Sequence, residues 1–404
     1  MDADDARWLV SSQAAGELAA LAAEPDPGAL GVAERLRRRL SVSRAAAVSA
    51  QALLRRRART KFGARADSLF FTTAGLEQAS RSPVAAWRAQ RLAEAGVRRV
   101  ADLGCGIGAD ALAFAAAGLD VFAVEADEVT AILAAANLGH DVLLGDATAV
   151  LDTVPPDAAV FCDPARRTSE GRSWRVEDLS PPWSFVGEVL RTRTACIKLA
   201  PGMPHALIPD GVAATWVSER GDLVELSLWR GEWPAQRQAV LLPSGAVLSG
   251  PLNSSAGNSG SVDSGSGDPS TGPTRGTARL PVAGEVLYEP DAAVIRAALV
   301  DRLAADLDAV RVQPGIAYLL GRTARPTPFA TAFEVLAVLD ASERTLRSWV
   351  RSERIGTLEI KKRGIDVDPA ALRRRLKPAG PASATVVLTP TQQGARALVV
   401  RRLG

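Results

Sequence analysis

The sequence predicts an α/β protein whose main domain is a parallel sheet, with a helical region before it and a small α+β domain after it. Ala- and Leu-rich stretches broken by prolines fill the first 60 residues, a pattern typical of short helices. From residue 97 onward, short apolar runs alternate with helical patterns, which implies parallel strands joined by right-handed crossovers. The final segment mixes helical and strand patterns, as a small α+β module would.

The chain of 404 residues is long enough for two or three domains. A stretch rich in Ser, Gly, Asn and Pro, with almost no apolar residues, predicts a flexible linker or a disordered insertion. The expected organisation is a helical region at 1–90, a parallel-sheet domain at 91–247, the linker at 248–279 and a C-terminal region at 280–404. Within that last region, a compact module is expected at about 328–404.

The predicted elements follow one another in chain order. Helices are expected at 6–23, 32–39, 43–59 and 83–95. The sheet domain is expected to contain strands at 97–103, 121–125, 142–144, 158–162 and 196–199, helices at 109–117 and 128–138, and an antiparallel hairpin of 213–218 with 223–229. After the linker we expect a strand at 284–288, helices at 292–307, 342–354 and 369–376, and strands at 357–361 and 385–389.

Cysteine and histidine usage excludes several kinds of site. Cys105, Cys162 and Cys196 are too widely spaced for a disulfide framework or a Cys-rich zinc site. His140 and His205 are the two histidines, so we expect no metal centre. The chain shows neither a signal-peptide pattern nor an apolar run of membrane-spanning length, so a soluble cytoplasmic protein without a membrane partner is expected.

Charge is distributed unevenly along the chain. Residues 321–404 contain 16 Lys and Arg but 7 Asp and Glu, a net charge of +9, whereas the remainder carries −6. A basic terminal domain on an acidic body favours a polyanionic partner, with RNA as the leading candidate. The alternative is a basic surface that is merely solvated.

A glycine-rich turn carries the main functional signal. The run Asp102-Leu103-Gly104-Cys105-Gly106-Ile107-Gly108 follows a predicted strand and precedes a predicted helix. Glycines permit positive φ and close approach of the backbone to a ligand, and the helix N-terminus favours anionic groups. Gly104, Gly106 and Ala109 also satisfy the dinucleotide pattern G-x-G-x-x-A. The glycines alone therefore leave the nucleotide open.

This run resembles motif I of the class I S-adenosylmethionine-dependent methyltransferases, which have a Rossmann-like fold. The resemblance implies that Asp102 accepts from the methionine ammonium, that Glu125 binds the ribose hydroxyls and that Asp146 contacts the adenine amine. Taken alone, Asp146 could equally cap a helix or turn. The residues expected to bind S-adenosylmethionine are Asp102, Gly104, Cys105, Gly106, Gly108, Glu125, Ala126, Asp146 and Ala147.

The loop after the fourth strand supplies the candidate catalytic residues, Asp163 and Pro164, at the position of the family's motif IV. Many amino-group methyltransferases continue with a proline and an aromatic residue that stacks on the target base. Here Ala165 and Arg166 follow instead. Either another ring stacks on the base, with Trp174, Trp183 and Phe71 as candidates, or the target is not a base amine turned out of its stack. Asp163 is expected to orient the nucleophile and to accept its proton.

Arginines in the same loop are candidates for substrate binding. Arg166 and Arg167 could bind substrate phosphates. They could equally lie in a solvated loop or pair with Glu170 or Glu177. These alternatives remain open on the sequence.

Several further runs resemble a group of bacterial methyltransferase-like proteins that end in a THUMP-like domain. The matching runs are 61–63, 69–80, 163–167, 197–202, 288–291, 360–364, 373–377 and 384–389. THUMP domains bind RNA, so the resemblance implies a methyltransferase acting on tRNA or rRNA. The residues expected to bind substrate are Arg166, Arg167, Trp183, Lys361, Lys362, Arg363 and Arg374.

Two alternatives accompany this interpretation. The enzyme could methylate a small molecule or a protein. The chain could also be an RNA-binding protein that holds S-adenosylmethionine without catalysing transfer, an alternative that the unusual Ala165-Arg166 pair supports.

Overall fold

The structure, a computed structural model, describes residues 1–166, 176–252 and 278–403, with only the backbone of Arg166. The chain forms two compact units. The first unit comprises Met1–Pro204, Ile208–Ala213 and Ser227–Pro234, and the second comprises His205–Leu207, Ala214–Leu226 and Ala235–Gly404. Over the described ranges, no helix combines the length and the apolar character that crossing a membrane requires.

Helices open the first unit and form a core of their own. They are α1 (Ala3–Val10), α2 (Ser12–Ala23), α3 (Leu30–Arg37), α4 (Val42–Phe62), α5 (Thr73–Gln78) and α6 (Ser82–Glu94). Ser41 begins α4 by accepting from the amide of Arg44, and Gly63 ends it at a φ of 59°. Buried Leu9, Leu18 and other apolar side chains of α1 to α4 pack together because each helix buries one apolar stripe.

The parallel sheet of the first unit positions the site. Its strands are β1 (Arg99–Leu103), β2 (Asp120–Glu125), β3 (Leu143–Leu144), β4 (Ala159–Cys162) and, after the short antiparallel pair β5 (Ala165–Arg166) and β6 (Leu179–Ser180), β7 (Ala195–Leu199). The strand order β7-β4-β1-β2-β3 reverses direction after β1, which creates a topological switch point. The helices between these strands are α7 (Ala109–Ala116), α8 (Glu128–Leu138), α9 (Ala147–Val150) and α10 (Trp183–Thr192).

The register of the parallel strands brings their carboxyl ends to one edge. Leu103 of β1 lies opposite Val124 of β2 and Cys162 of β4, and Cys162 in turn lies opposite Ile197 of β7. The residues that follow β1, β2 and β4 therefore converge, which is where open α/β sheets bind their ligands.

Four further strands follow β7 in the chain: β8 (Ala213–Glu219), β9 (Asp222–Arg230), β10 (Gln236–Leu242) and β11 (Ala246–Pro251). The predicted hairpin is present as β8 and β9. Its two turn residues, Arg220 and Gly221, both have positive φ, which matches the twist of a two-residue hairpin turn. Strand β11 extends into the start of the predicted linker, and residues 253–277 of that linker lie outside the described residues.

The remainder of the second unit builds a seven-stranded sheet, ordered β13-β14-β12-β15-β18-β17-β16. Its elements are β12 (Val286–Pro290), α11 (Ala292–Arg296), α12 (Val300–Leu307), β13 (Ala309–Arg311), β14 (Leu319–Gly321), β15 (Ala330–Asp340), α13 (Glu343–Ser352), β16 (Ile355–Lys362), α14 (Pro369–Leu376), β17 (Ala382–Thr391) and β18 (Gly394–Arg402). Leu346 and Leu372 pack α13 and α14 on this sheet.

Two predicted helices are each divided in the structure. The helix expected at 6–23 breaks at Ser11, whose extended backbone lets its hydroxyl accept from Gln13 at the start of α2. The helix expected at 292–307 breaks at Ala298, which has a φ of 56°. There the chain turns, and Leu299 is buried so close to Gly250 that a β-carbon added at Gly250 would clash with it. This tertiary contact outweighs the helical periodicity.

Candidate functional site

A cavity of about 470 Å³ opens at the carboxyl edge of the parallel strands in the first unit. Its walls come from the turn after β1, the ends of β2 to β4, helix α5 and the segment Ser180–Pro182. The predicted residues that line it are Asp102, Gly104, Cys105, Gly106, Glu125, Ala126, Asp146, Ala147 and Asp163. The structure thus brings together residues that are up to 61 positions apart in the chain.

The glycine turn has the tight geometry that its sequence predicts. Gly104 and Gly106 have φ values of 90° and 56°, in the left-handed region that favours glycine. The amides of Gly104 and Cys105 both donate to the carbonyl of Val124 at 2.9 Å. These bonds hold the turn against the end of β2 and direct the chain into α7.

Glu125 fixes the same turn from the end of β2. Its Oε2 accepts from the amide of Gly106 at 2.8 Å, and its Oε1 accepts from the amides of Ala126 and Asp127 at 3.0 Å. Three amide donors hold the carboxylate in one orientation at the cavity wall, where the remaining lone-pair positions can accept further donors.

Asp102 is the most deeply buried carboxylate of the cavity, with 1% of its surface exposed. Burial, reinforced by the nearby negative charges of Asp110 and Asp163, raises the pKa of Asp102 well above its usual value. Its Oδ2 has no hydrogen-bond partner within the described ranges. Because an unpaired buried acceptor is unfavourable, this oxygen would be stabilised by a cationic donor entering the cavity.

Asp146 has a structural contact as well as a place in the cavity wall. Its Oδ1 accepts from the amide and the hydroxyl of Thr148, which caps α9. The capping interaction considered from the sequence is therefore present, and the same residue lines the cavity. Gly108 is not among the described lining residues but begins α7 at a φ of 82°, where an added β-carbon would approach Leu138 at 3.3 Å.

Asp163 forms an ion pair with Lys198, a residue that the sequence analysis did not select. The Asp163 side chain is 33% exposed and the Lys198 side chain 14%. Burial raises the pKa of Asp163, and the ammonium of Lys198 partly opposes that rise. One signal in the sequence could have identified Lys198, namely a lysine within the otherwise apolar strand β7.

A second, fully buried ion pair supports the cavity floor. Arg88 of α6 pairs with Asp110 of α7, and the hydroxyl of Ser80 donates to Asp110 Oδ2 at 2.7 Å. The Arg88 guanidinium also lies over the ring of Phe161, 5.0 Å from its centre. Ser80, Asp110 and Phe161 all line the cavity, so this network fixes the positions of three lining residues.

The remaining residues predicted near the acceptor are not among the described residues that line the cavity. Pro164 is buried after Asp163, and Trp183 begins α10 directly after the lining residue Pro182. Phe71 is 1% exposed and packs against Phe62, so the proposal that its ring stacks on a base is wrong. Residues 167–175, which include Arg167, Glu170 and Trp174, and the side chain of Arg166 lie outside the described part of the chain.

The basic residues predicted in the second unit differ in their surroundings. Lys361 forms an ion pair with Glu289 at 2.7 Å, so its charge is compensated. Lys362 and Arg374 are exposed. Arg363 is half-buried, with its guanidinium 5.4 Å from the ring centre of Tyr318.

Comparison with known proteins identifies the family of this chain. Over 354 residues the chain is 33% identical to an uncharacterized S-adenosylmethionine-dependent methyltransferase of Mycobacterium tuberculosis, found in the strains H37Rv and CDC 1551. The aligned region covers 83% of this chain and 90% of that relative. This chain belongs to the S-adenosylmethionine-dependent methyltransferases. Its cofactor is S-adenosylmethionine.

Two further comparisons describe the architecture of this methyltransferase. Residues 330–402, which span β15 to β18, match the family described as THUMP domain-like. A crystal structure assigned as a methyltransferase of Porphyromonas gingivalis W83 superposes with a TM-score of 0.73 at 21% identity, covering 96% of this chain and 98% of that one. The predicted combination of a methyltransferase sheet, a helical N-terminal region and a THUMP-like module is thereby confirmed.

The cavity of the methyltransferase fits its cofactor chemically. Asp102 offers a buried, unpaired oxygen, and S-adenosylmethionine carries an ammonium that can donate to it. The amides at the start of α7 suit the adjacent carboxylate of the same cofactor.

We expect the Gly106→Ala variant to bind S-adenosylmethionine about tenfold more weakly or worse, measured by calorimetry. An alanine at positive φ costs about 1–2 kcal/mol, and relieving that strain would displace the amide that Glu125 holds. Gly118→Ala is the matched control, since Gly118 has a φ of 81°, has open space around it and does not line the cavity. Equal losses of affinity in both variants would contradict the role of this turn in cofactor binding.

Proposed function

We propose that this methyltransferase transfers methyl groups to RNA, namely tRNA or rRNA, and that its second unit binds the RNA. The observation that carries the proposal is the THUMP domain-like match at residues 330–402. The net charge of +9 over residues 321–404 supports it, because phosphate contacts dominate the affinity of proteins for nucleic acids. Lys362, Arg363 and Arg374 are the proposed phosphate contacts, and Lys361 would approach the RNA while its ion pair with Glu289 stays in place.

The first unit would hold S-adenosylmethionine through side chains and amides already at the cavity. Asp102 would accept from the methionine ammonium, and the turn at Gly104 and Gly106 would approach the methionine carboxylate. Glu125 would accept from the ribose hydroxyls, and Asp146 from the adenine amine. When bound, the cofactor supplies an electrophilic methyl group, so the protein's main task is to align the acceptor.

Asp163 would orient the acceptor and take its proton. Lys198 pairs with Oδ2 of this carboxylate, which leaves Oδ1 to accept from an N–H or O–H of the substrate. As the acceptor atom loses its proton, Asp163 would receive it, and the carbonyl of Pro164 would accept a second hydrogen bond from an amine. Lys198 would be a positioning residue that favours the ionised form of Asp163 and fixes its side chain.

Residues after Pro164 would contact the substrate. We propose that Arg166 and Arg167 bind phosphates beside the target, and that Trp183 contacts the target nucleotide from the start of α10. Since Phe71 is buried, Trp183 and Trp174 remain as candidates for a stacking ring.

The direct test is transfer of labelled methyl from S-adenosylmethionine to separate pools of total RNA, total protein and small metabolites. We expect label in RNA, and we expect Asp163→Ala to reduce transfer by about 100-fold or more while sparing cofactor binding. Label confined to protein or metabolites would replace RNA with another acceptor class. Retained transfer in Asp163→Ala would remove its catalytic role, and absence of label from every pool would favour the non-catalytic alternative.

Lys198 can be tested through the pH dependence of transfer. Proton acceptance requires ionised Asp163, so the rate should fall as the pH falls through the Asp163 pKa. Removing the Lys198 charge would raise that pKa further, so Lys198→Gln should move the acid limb of kcat/KM upward by about one pH unit or more. Lys198→Arg keeps the charge and should restore the limb. An unmoved limb in Lys198→Gln would contradict the positioning role.

A further inference from the structure

A groove in the second unit has no part in the cofactor site. Its volume is about 600 Å³, and it is lined by the end of β12, the loop at 325–328, the beginning of β15 and the end of β18. Three arginines face it: Arg325, Arg363 and Arg402. The sequence analysis selected Arg363 as a phosphate contact but neither of the other two.

The two carboxylates at the groove already have ion-pair or hydrogen-bond partners. Glu289 pairs with Lys361 at 2.7 Å. Asp291 caps α11 by accepting from the amide of Ala293 at 2.8 Å, and its second oxygen accepts from the hydroxyl of Ser218 at 3.1 Å. The arginine charges therefore dominate what an incoming ligand meets in this groove.

Hydrogen bonds to Tyr288 of β12 hold the loop that carries Arg325 in place. The buried Tyr288 accepts from the amide of Arg325 at 2.7 Å and donates to the carbonyl of Thr323 at 3.2 Å. Pro326 and Pro328 restrict the backbone that follows. This groove is therefore built largely by the run Tyr288-Glu289-Pro290-Asp291, which does not line the cavity of the first unit. The run anchors the loop, pairs with Lys361 and caps α11.

Two of the three arginines, Arg325 and Arg402, keep donors accessible to a ligand. The Nε of Arg363 is buried without a partner within the described ranges, while its guanidinium lies over Tyr318. Arg402 is exposed at the end of β18, and Arg325 pairs with exposed Asp308 at 3.3 Å, a contact of little energetic weight. Guanidinium groups bind phosphate oxygens through paired N–H donors, which favours a phosphate ligand here.

The lining also indicates which part of a nucleic acid would enter. None of the described residues that line the groove is aromatic, so its walls offer no ring on which a base could stack. Hydroxyls of Thr327 and Thr331 accompany the arginines. A groove of about 600 Å³ is large enough for a short stretch of one strand but too small to enclose a double helix.

We infer that this groove binds the phosphodiester backbone of a single-stranded segment of the RNA substrate. The inference rests on the proposed function, because it presupposes that RNA is the acceptor. It assigns Arg325 and Arg402 as phosphate contacts. Arg363, which directly follows strand β16, lines the same groove.

The test compares two doubly substituted full-length proteins by fluorescence anisotropy with a labelled single-stranded RNA oligonucleotide. Arg325→Gln with Arg402→Gln removes two groove charges and leaves Arg363 on Tyr318 in place. Arg344→Gln with Arg351→Gln is the matched control, since both arginines are exposed on α13, outside the groove lining. We expect the groove variant to bind about tenfold more weakly and to lower the slope of log affinity against log salt by about 1.4. The control should retain the wild-type affinity and slope.

Three results would overturn the inference. Equal losses in the two variants would show that general charge, and not the groove, binds RNA, while leaving the proposed function intact. Stoichiometric binding of ATP that only the groove variant loses would make the groove a mononucleotide site. Failure of the wild-type protein both to bind the oligonucleotide and to methylate RNA would remove the proposed function and the groove's role together.

Discussion

The hydrogen bond from the Gly106 amide to the Glu125 carboxylate ties the turn after β1 to the end of β2, and the proposed cofactor site depends on it. The amides of Gly104 and Cys105 reinforce this tie through the carbonyl of Val124. Since β1 lies between β2 and β4, fixing its end also fixes the position of the turn relative to Asp163. Backbone hydrogen bonds therefore define the shape of the cavity, and a site held in this way reduces the ordering that binding requires.

Charge balance is the second constraint on this site. Three neighbouring carboxylates, on Asp102, Asp110 and Asp163, share two partly or fully buried cations, Arg88 and Lys198. Arg88 pairs with Asp110 and Lys198 with Asp163, whereas no ion pair joins the third carboxylate, Asp102, to a cation among the described residues. Burial of an unpaired charge is unfavourable, and a positively charged cofactor offsets that cost. The ammonium of S-adenosylmethionine would bring positive charge to these carboxylates, whereas the pyrophosphate of a dinucleotide would add negative charge.

Residues whose place at the cavity follows from local order could be predicted from the sequence. Asp102, Glu125, Asp146 and Asp163 each come at or directly after the end of a parallel strand, and such ends meet at one edge of the sheet.

Residues whose roles depend on packing between distant segments could not be predicted. Lys198 reaches Asp163 because the register of β7 against β4 sets them side by side. Arg88 meets Asp110 through the packing of α6 on α7, and Arg402 joins Arg325 at a groove that neither run of sequence reveals. Phe71 was misjudged for the same reason, since an aromatic residue near a motif can face a helical core instead of the cavity.

A crystal structure of the protein with S-adenosylhomocysteine would test the central claim most directly. The decisive distance is that between the ligand's amino nitrogen and Asp102 Oδ2. We expect a hydrogen bond of about 2.7–3.2 Å there, with the ligand sulfur facing Asp163. A ligand bound with its amino group elsewhere, leaving Asp102 Oδ2 unpaired, would contradict the account.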